Sequence, residues 1–156
     1  RFRNVTGVQT CALPIYLPPN RISHKKVVIP IGGVHKGTLA ALRFAKTLSD
    51  DITAVHVSID PDESKKLQGK WETWGDGYRL VILESPYRLF IEPLLSYIEE
   101  LDENKLPNEV VLVIVPQFIP KHFWNNWLHT RTADTLRRVL LFRKDIVIME
   151  VPILVD

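Results

Sequence analysis

The chain has 156 residues, and 20 lysines and arginines stand against 18 acidic residues, which gives a formal net charge of +2. This length suits one domain with a substantial core, and the near balance of charge implies no charge-driven partner such as a nucleic acid. No apolar run approaches the roughly 20 residues that span a bilayer, and a single cysteine excludes a disulfide framework.

The first 15 residues need separate treatment, because Val5–Ile15, VTGVQTCALPI, resembles the translation of a common sequencing adapter. We therefore predict that residues 1–15 are an adapter-derived artefact and that Cys11 has no biological meaning. A natural N-terminal arm is the alternative. Without Arg1 and Arg3 the formal charge becomes zero, and we expect the genuine chain to start in mid-protein near Tyr16.

Residues 16–24 contain two prolines and several polar residues, which is typical of a linker. Residues 25–156 are predicted to form the domain. Its first feature is the apolar run Val27–Ile31, which is typical of a strand buried on both faces. Gly32-Gly33 follow it, and Thr38 is the candidate N-cap of a helix.

The rest of the domain repeats this alternation of strand and helix. Apolar or β-branched runs predict further strands at residues 52–59, 79–83, 109–115 and 145–151. Apolar residues at helical spacing predict helices around residues 94–101 and at residues 132–142. Another helix is predicted to start with Asp60 as N-cap and Pro61 as its first residue, to have Leu67, Trp71 and Trp74 on one face, and to end at Gly75. This order predicts an α/β fold, a three-layer α/β/α sandwich around a five-stranded parallel sheet, because each parallel link needs a crossover.

The segment from Val27 to Thr38 has the form of an anion or nucleotide site, namely a strand, a glycine turn and a helix N-terminus. Two interpretations of Gly32-Gly33 remain open on the sequence. The pair indicates either an ordinary tight turn with positive φ or a place where a ligand comes close to the backbone.

Patterns that would indicate catalysis or metal binding are missing. The sequence has no Walker A motif and no GxGxxG, and Ser58 has no evident base and orienting group. The histidines show no metal-ligand spacing, so each is interpreted as a surface residue or a satisfied core residue. We therefore predict a protein that is not an enzyme and that holds neither a metal nor a cofactor.

Residues 116–130 are predicted to form a long connection that contains four aromatic candidates for an interface. They are Phe118, Phe123, Trp124 and Trp127. Three interpretations remain: packing inside the domain, contact with a second copy or a membrane domain, or a position at a membrane interface. His129 and Arg131 follow near the start of the fourth predicted helix, where backbone N–H groups and a guanidinium can hold a phosphate.

Four segments together resemble the C-terminal cytoplasmic domain of bacterial permeases of the amino-acid/polyamine/organocation superfamily, which includes amino-acid permeases and potassium importers. They are PIGGVHKGTLAALRFAKTLS, AVHVSIDPDESKKLQGKWETWG, LVILESPYRLFIEPLLSYI and VVLVIVPQFIPKHFWNNWLHTRTADTLRRVLLFRKDIVIMEVP. The turn Val115–Pro120 followed by Trp124–His129 is fairly specific to this family. Thr130-Arg131-Thr132 departs from the Asn-Gln-Thr that usually follows in the family.

The resemblance extends to the universal stress proteins, which implies the strand order 3-2-1-4-5. Many of those proteins bind ATP through an aspartate after the first strand and a glycine-rich loop after the fourth. This chain has Pro30-Ile31 and Pro116-Gln117-Phe118 at those places. ATP binding is therefore not inferred for this chain from the resemblance.

The potassium-importing relatives bind cyclic di-AMP with paired cytoplasmic domains, and the nucleotide inhibits transport. The resemblance thus implies a regulatory domain on the cytoplasmic face of the membrane, a homodimer, and the transmembrane domain of the same permease as partner. The residues expected to contact a nucleotide are Ile31, Gly32, Gly33, Val34, His35, Lys36, Ser58, Asp60, Gln117, His129 and Arg131. A purely supporting domain and a free-standing nucleotide-binding stress protein remain as alternatives.

Overall fold

The computed structural model describes residues 22–85, 89–120, 130–141, 143 and 145–155. Strands and helices alternate along this part of the chain. They are β1 (His24–Pro30), α1 (Lys36–Lys46), β2 (Asp51–Ser58), α2 (Pro61–Trp74), β3 (Arg79–Glu84), α3 (Ile91–Glu103), β4 (Glu109–Pro120), α4 (Thr130–Leu140) and β5 (Ile146–Val155).

The five strands form one parallel sheet in the order β3-β2-β1-β4-β5, which confirms the predicted fold. β1 is central, and it pairs with β2 in a register that sets Val28 opposite Thr53. On its other edge β1 pairs with β4, where Val28 lies opposite Val113. The switch point of the sheet, where the chain direction across the strands reverses, therefore lies between β1 and β4.

Side chains on opposite faces of β1 pack into separate apolar clusters, because successive side chains of a strand point to opposite faces. Val27 and Ile29 join the cluster covered by α1 and by Trp71 of α2. Val28 joins the cluster that contains Leu94 and Ile98 of α3 and Leu136 and Leu140 of α4. The helices therefore cover both faces of the sheet, as the alternation of strands and helices predicts.

β4 and β5 extend further than the sequence predicts. The prediction ended β4 at Val115 and β5 at Val151, but the two strands stay paired as far as Pro120 and Val155. A proline is excluded from a strand only where its missing N–H would leave a ladder bond unmade. β1 ends before Pro116, and β5 is an edge strand in the described sheet, so both strands have a free side that tolerates proline.

The start and end of α2 agree with the prediction. Asp60 is the N-cap, its Oδ1 accepts from the N–H of Asp62 at 2.9 Å, and Pro61 occupies the first turn. Gly75 closes the helix by donating its N–H to Trp71 O at 2.7 Å. Trp74, predicted to share the inner face with Trp71, is instead 62% exposed.

Replacement of Gly75 by alanine should destabilise the fold by about 1–3 kcal/mol, because the new methyl group overpacks an occupied site. An added Cβ would lie 2.5 Å from the carbonyl oxygen of Trp71 and 2.6 Å from its Nε1. The indole cannot move away freely, since its Nε1 donates to Tyr78 O at 2.9 Å. Urea unfolding followed by circular dichroism measures the change.

Gly69→Ala is the matched control, because a Cβ at Gly69, inside the same helix, meets nothing within 4 Å. This variant should be more stable by about 0.5–1 kcal/mol through helix propensity alone. Equal effects of the two substitutions would contradict the steric explanation.

Candidate ligand site

The candidate site lies at the carboxyl edge of the sheet, where the neighbouring strands β1 and β4 part. After Pro30 the chain stays hydrogen-bonded to β2 for one more residue, since the N–H of Ile31 donates to Val55 O at 2.8 Å. β4 instead follows β5 as far as Pro120. The two segments diverge at the switch point, which is the usual ligand position in an open parallel sheet.

Gly32 and Gly33 do not have the backbone conformation that the turn interpretation requires. The one described glycine with positive φ is Gly77, at φ 77°, so the interpretation based on positive φ is wrong. An added Cβ would meet nothing within 4 Å at either Gly32 or Gly33. Neither local backbone geometry nor crowding inside the domain explains the glycines, and close approach of a ligand to the backbone stays a prediction.

His35, and not Thr38, caps the N-terminus of α1. His35 has an extended backbone, and its Nδ1 accepts from the N–H of Thr38 at 3.3 Å. Thr38 is fully buried in the first turn, where its hydroxyl donates to Gly33 O at 2.7 Å. A histidine side chain can supply the same acceptor as the usual Ser, Thr or Asp caps. The prediction of Thr38 was wrong because the sequence does not show which way the His35 side chain points.

Partial burial of the imidazole lowers the pKa of His35 below its ordinary value of 6.5. Burial disfavours the charged form of a side chain, so the ring is neutral at pH 7. A neutral ring keeps the lone pair on Nδ1 that the cap needs. The neutral state of the His35 ring therefore agrees with its role as the N-cap of α1.

His56 fixes the other side of the same loop. Its Nδ1 lies 3.0 Å from Ile31 O, and a carbonyl can only accept, so Nδ1 carries the proton. This agrees with the interpretation of His56 as a satisfied residue, although its hydrogen bond to the loop is not among the predictions from the sequence. Strand alternation could have done so, since His56 shares a face with Ile52 and Ala54, which pack against α1.

Ser58 and Asp60 also lie at the carboxyl edge, but their polar groups serve the first turn of α2. The hydroxyl of Ser58 donates to Asp60 O at 3.1 Å and contacts the hydroxyl of Ser64. Ser58 is 5% exposed, so little of it is accessible. Asp60 is exposed but is held by its cap to Asp62. The structure brings both residues to the edge that carries the loop, with Ser58 mainly in a structural role.

The structure does not bring the side chain of Gln117 to the loop that follows β1. Gln117 Nε2 donates to Glu150 Oε2 at 2.7 Å, and Glu150 Oε1 lies 3.6 Å from Arg137 of α4. Val115, two residues earlier on the same strand face, packs in the cluster of α3 and α4. Gln117 therefore faces the side of the sheet opposite to α1.

Several predicted residues lie outside the part that the structure describes. His129, Phe123, Trp124 and Trp127 fall in the undescribed range 121–129, and so does His122. Arg131 lies in α4 and Phe118 in β4. Their predicted roles in phosphate binding and in an interface stay predictions.

The groove between α1 and α2 is a separate feature. It has a volume of about 190 Å³ and is lined by Leu39, Leu42, Arg43, Thr73, Trp74, Asp76 and Tyr78. Arg43 and Trp74 belong to the last turns of their helices, so the groove lies toward the amino edge of the sheet, away from Gly32-Gly33. It contains none of the predicted site residues.

Metal binding and membrane crossing can be considered for the described residues. Within them, no three His, Cys, Asp or Glu side chains come close enough together to hold a metal ion. In the same part of the chain no helix combines the length and the apolar character that crossing a bilayer requires.

Comparison with known proteins gives two findings. The KimA potassium transporter C-terminal domain family matches residues 23–153. The chain is also 36% identical over 135 residues to the potassium transporter KimA of Bacillus subtilis (strain 168). The similar region covers 86% of this chain and 22% of that relative. The chain thus belongs to the family of the KimA potassium transporter C-terminal domain.

Proposed function

We propose that this domain is a non-enzymatic regulatory part of a potassium permease and that it binds a nucleotide, with cyclic di-AMP as the first candidate. The transmembrane part of the same permease would be its partner, and the domain would lie on the cytoplasmic face of the membrane. Membership in a family of potassium-transporter domains supports the association with transport. The nucleotide rests on the resemblance to cyclic di-AMP-binding importers and on the geometry below.

The observation that carries the ligand proposal is the open glycine pair at the switch point. Gly32 and Gly33 have free space where a Cβ would stand, and the N-terminus of α1 follows three residues later. Thr38 N–H and Leu39 N–H already bond to His35, and Gly37 is buried, so the exposed Lys36 supplies the first-turn N–H group that a phosphate would meet. The exposed Lys36 adds a positive charge at the same point.

This arrangement supplies half of a nucleotide site. Gln117 faces the opposite side of the sheet, and the hydroxyl of Ser58 is committed to α2. A second set of contacts would therefore come from residues 118–132 or from a second copy of the domain. A cyclic dinucleotide has two-fold symmetry, so a two-fold dimer would present the same loop to each half of it.

Two alternative functions remain for comparison. The domain could support or dimerise the transmembrane part without any ligand, which the 22% coverage of the full-length relative allows. It could also act as a free-standing nucleotide-binding stress protein, which the α/β fold with strand order 3-2-1-4-5 allows. Which nucleotide the domain binds, or whether it binds none, distinguishes these functions.

Titration calorimetry of the purified chain with cyclic di-AMP, AMP and ATP tests the proposal directly. We expect saturable heat with cyclic di-AMP and a stoichiometry of one nucleotide per two chains. Heat with ATP alone would favour a stress protein. Absence of heat with all three would favour a supporting domain and would refute the ligand proposal.

Two variants locate the site. Gly33→Val should weaken nucleotide binding at least about tenfold, because a branched side chain would block the approach to the backbone, while a fold with free space there remains stable. Lys36→Gln should weaken binding by about tenfold through loss of one charge-assisted contact. Thermal unfolding confirms that each variant is folded.

Lys46→Gln is the control for Lys36→Gln. Lys46 lies at the other end of α1, where it pairs with Asp50 at 2.7 Å on the exposed surface. The pair raises the pKa of Lys46 through the hydrogen bond to Asp50, yet both side chains are accessible to water and contribute little to stability. Equal losses of affinity in both lysine variants would place the nucleotide elsewhere.

The proposed homodimer is tested by sedimentation with and without cyclic di-AMP. If Trp124 and Trp127 form the interface, their joint replacement by alanine should abolish the dimer. Trp74→Ala is the matched control, because Trp74 is 62% exposed and lies toward the amino edge of the sheet. A monomer at all concentrations, with or without nucleotide, would contradict the dimer.

A further inference from the structure

We propose that His35 and Thr38 are positioning residues, whose hydrogen bonds hold the Gly32-Gly33 loop in its binding geometry only while the His35 ring is neutral. Acid would then release the loop and make the site proton-sensitive. The effect on the loop stands by itself, whereas the effect on affinity rests on the proposed nucleotide function. Three hydrogen bonds made by His35 and Thr38 support this proposal.

Those three bonds are compatible with a single protonation state. Thr38 N–H donates to His35 Nδ1 at 3.3 Å, so Nδ1 must present a lone pair. The Thr38 hydroxyl donates to Gly33 O at 2.7 Å, so its oxygen is left to accept. His35 Nε2 lies 3.3 Å from that oxygen and must therefore carry the hydrogen. The neutral Nε2–H tautomer satisfies all three of these bonds.

Protonation of His35 breaks this arrangement at its first step. A hydrogen on Nδ1 would point at the N–H of Thr38, so the cap to α1 is lost. The new positive charge would also lie at the positive end of the helix dipole. Thr38 is buried and cannot bond to water instead. Loss of the cap therefore also weakens the hydrogen bond from the Thr38 hydroxyl to Gly33 O, which holds the loop.

Among the residues that the structure describes, the titratable groups named here do not reverse this sign. His56 on β2 donates Nδ1–H to Ile31 O, and that bond exists in both protonation states. Lys36, the first residue of α1, is cationic and opposes a second positive charge. Asp60 follows β2 at this edge, and its carboxylate already accepts from Asp62 N–H. Glu84 ends β3, on the far side of β2 from β1.

The pH window follows from the direction of the shift. Burial lowers the pKa of His35 below 6.5, so between these two values the unfolded chain, or the open loop, binds more protons than the closed loop. The closed loop is thus fully favoured above about pH 6.5 and is lost as the pH falls through the lowered pKa.

A ligand contact by His35 would give the opposite pH dependence. A phosphate bound directly to the ring would favour the imidazolium, and affinity would rise in acid. A positioning role predicts that affinity falls, by up to about tenfold per pH unit once His35 protonates. The sign therefore separates the two roles of the same side chain.

The test uses the whole chain without ligand, between pH 7.5 and pH 5. Nuclear magnetic resonance should show that His35 titrates below its ordinary pKa, that amide protection of Thr38 falls at least tenfold along the same curve, and that the backbone resonances of Gly33 shift with it. His35→Asn should keep that protection constant, because asparagine is a good N-cap that does not titrate. Thr38→Val should lower protection at every pH.

His24→Asn, at the amino end of β1, is the control and should leave the curve unchanged. Protection independent of pH in the wild type would refute the inference, as would a raised pKa of His35. Cyclic di-AMP titrations over the same range complete the test. A pH-dependent loop without nucleotide binding would support the inference and refute the proposed function. Binding that tightens in acid would support the proposed function and refute the inference.

Discussion

The structure depends on the burial of β1 along both edges and both faces. Val27, Val28 and Ile29 are at most 1% exposed, and β1 pairs with β2 on one edge and β4 on the other. A strand placed in this way leaves none of its central groups for water or a ligand. β1 can be reached by a ligand only where it ends, so the accessible position of the loop at Gly32-Gly33 follows from the burial of the strand before it.

The polar side chains near that end mostly stabilise neighbouring segments. His35 caps α1, Ser58 and Asp60 organise the first turn of α2, and His56 holds Ile31 O. Few side chains remain for chemistry, whereas backbone N–H groups and open space beside two glycines do remain. The proposed anion site rests on these backbone groups at the start of α1 rather than on a cluster of side chains.

The amino edge of the sheet is built differently. Glu109 is 6% exposed, and its carboxylate accepts from Leu106 N–H at 2.8 Å and pairs with Lys26 at 3.1 Å. The hydrogen bond from Leu106 N–H and then the contact with Lys26 lower the pKa of Glu109. The ion pair between Lys26 and Glu109 is therefore present at neutral pH and is lost only in acid, as the pH falls below the ordinary carboxyl range. The two edges thus differ in function: the amino edge fixes β1 to β4, and the carboxyl edge lets them part.

The sequence by itself determined the order of strands and helices, since apolar runs and helical spacing reflect local burial that each segment carries within itself. It also placed Asp60 at the start of α2 and the glycine pair after β1. The tertiary structure alone decided where β4 and β5 end, because Pro116 and Pro152 are tolerated on the unpaired sides of these strands, and which side is paired depends on segments far apart in the chain. It also decided that His35, not Thr38, caps α1, and that Gln117 faces away from the loop, because side-chain direction depends on packing across the sheet.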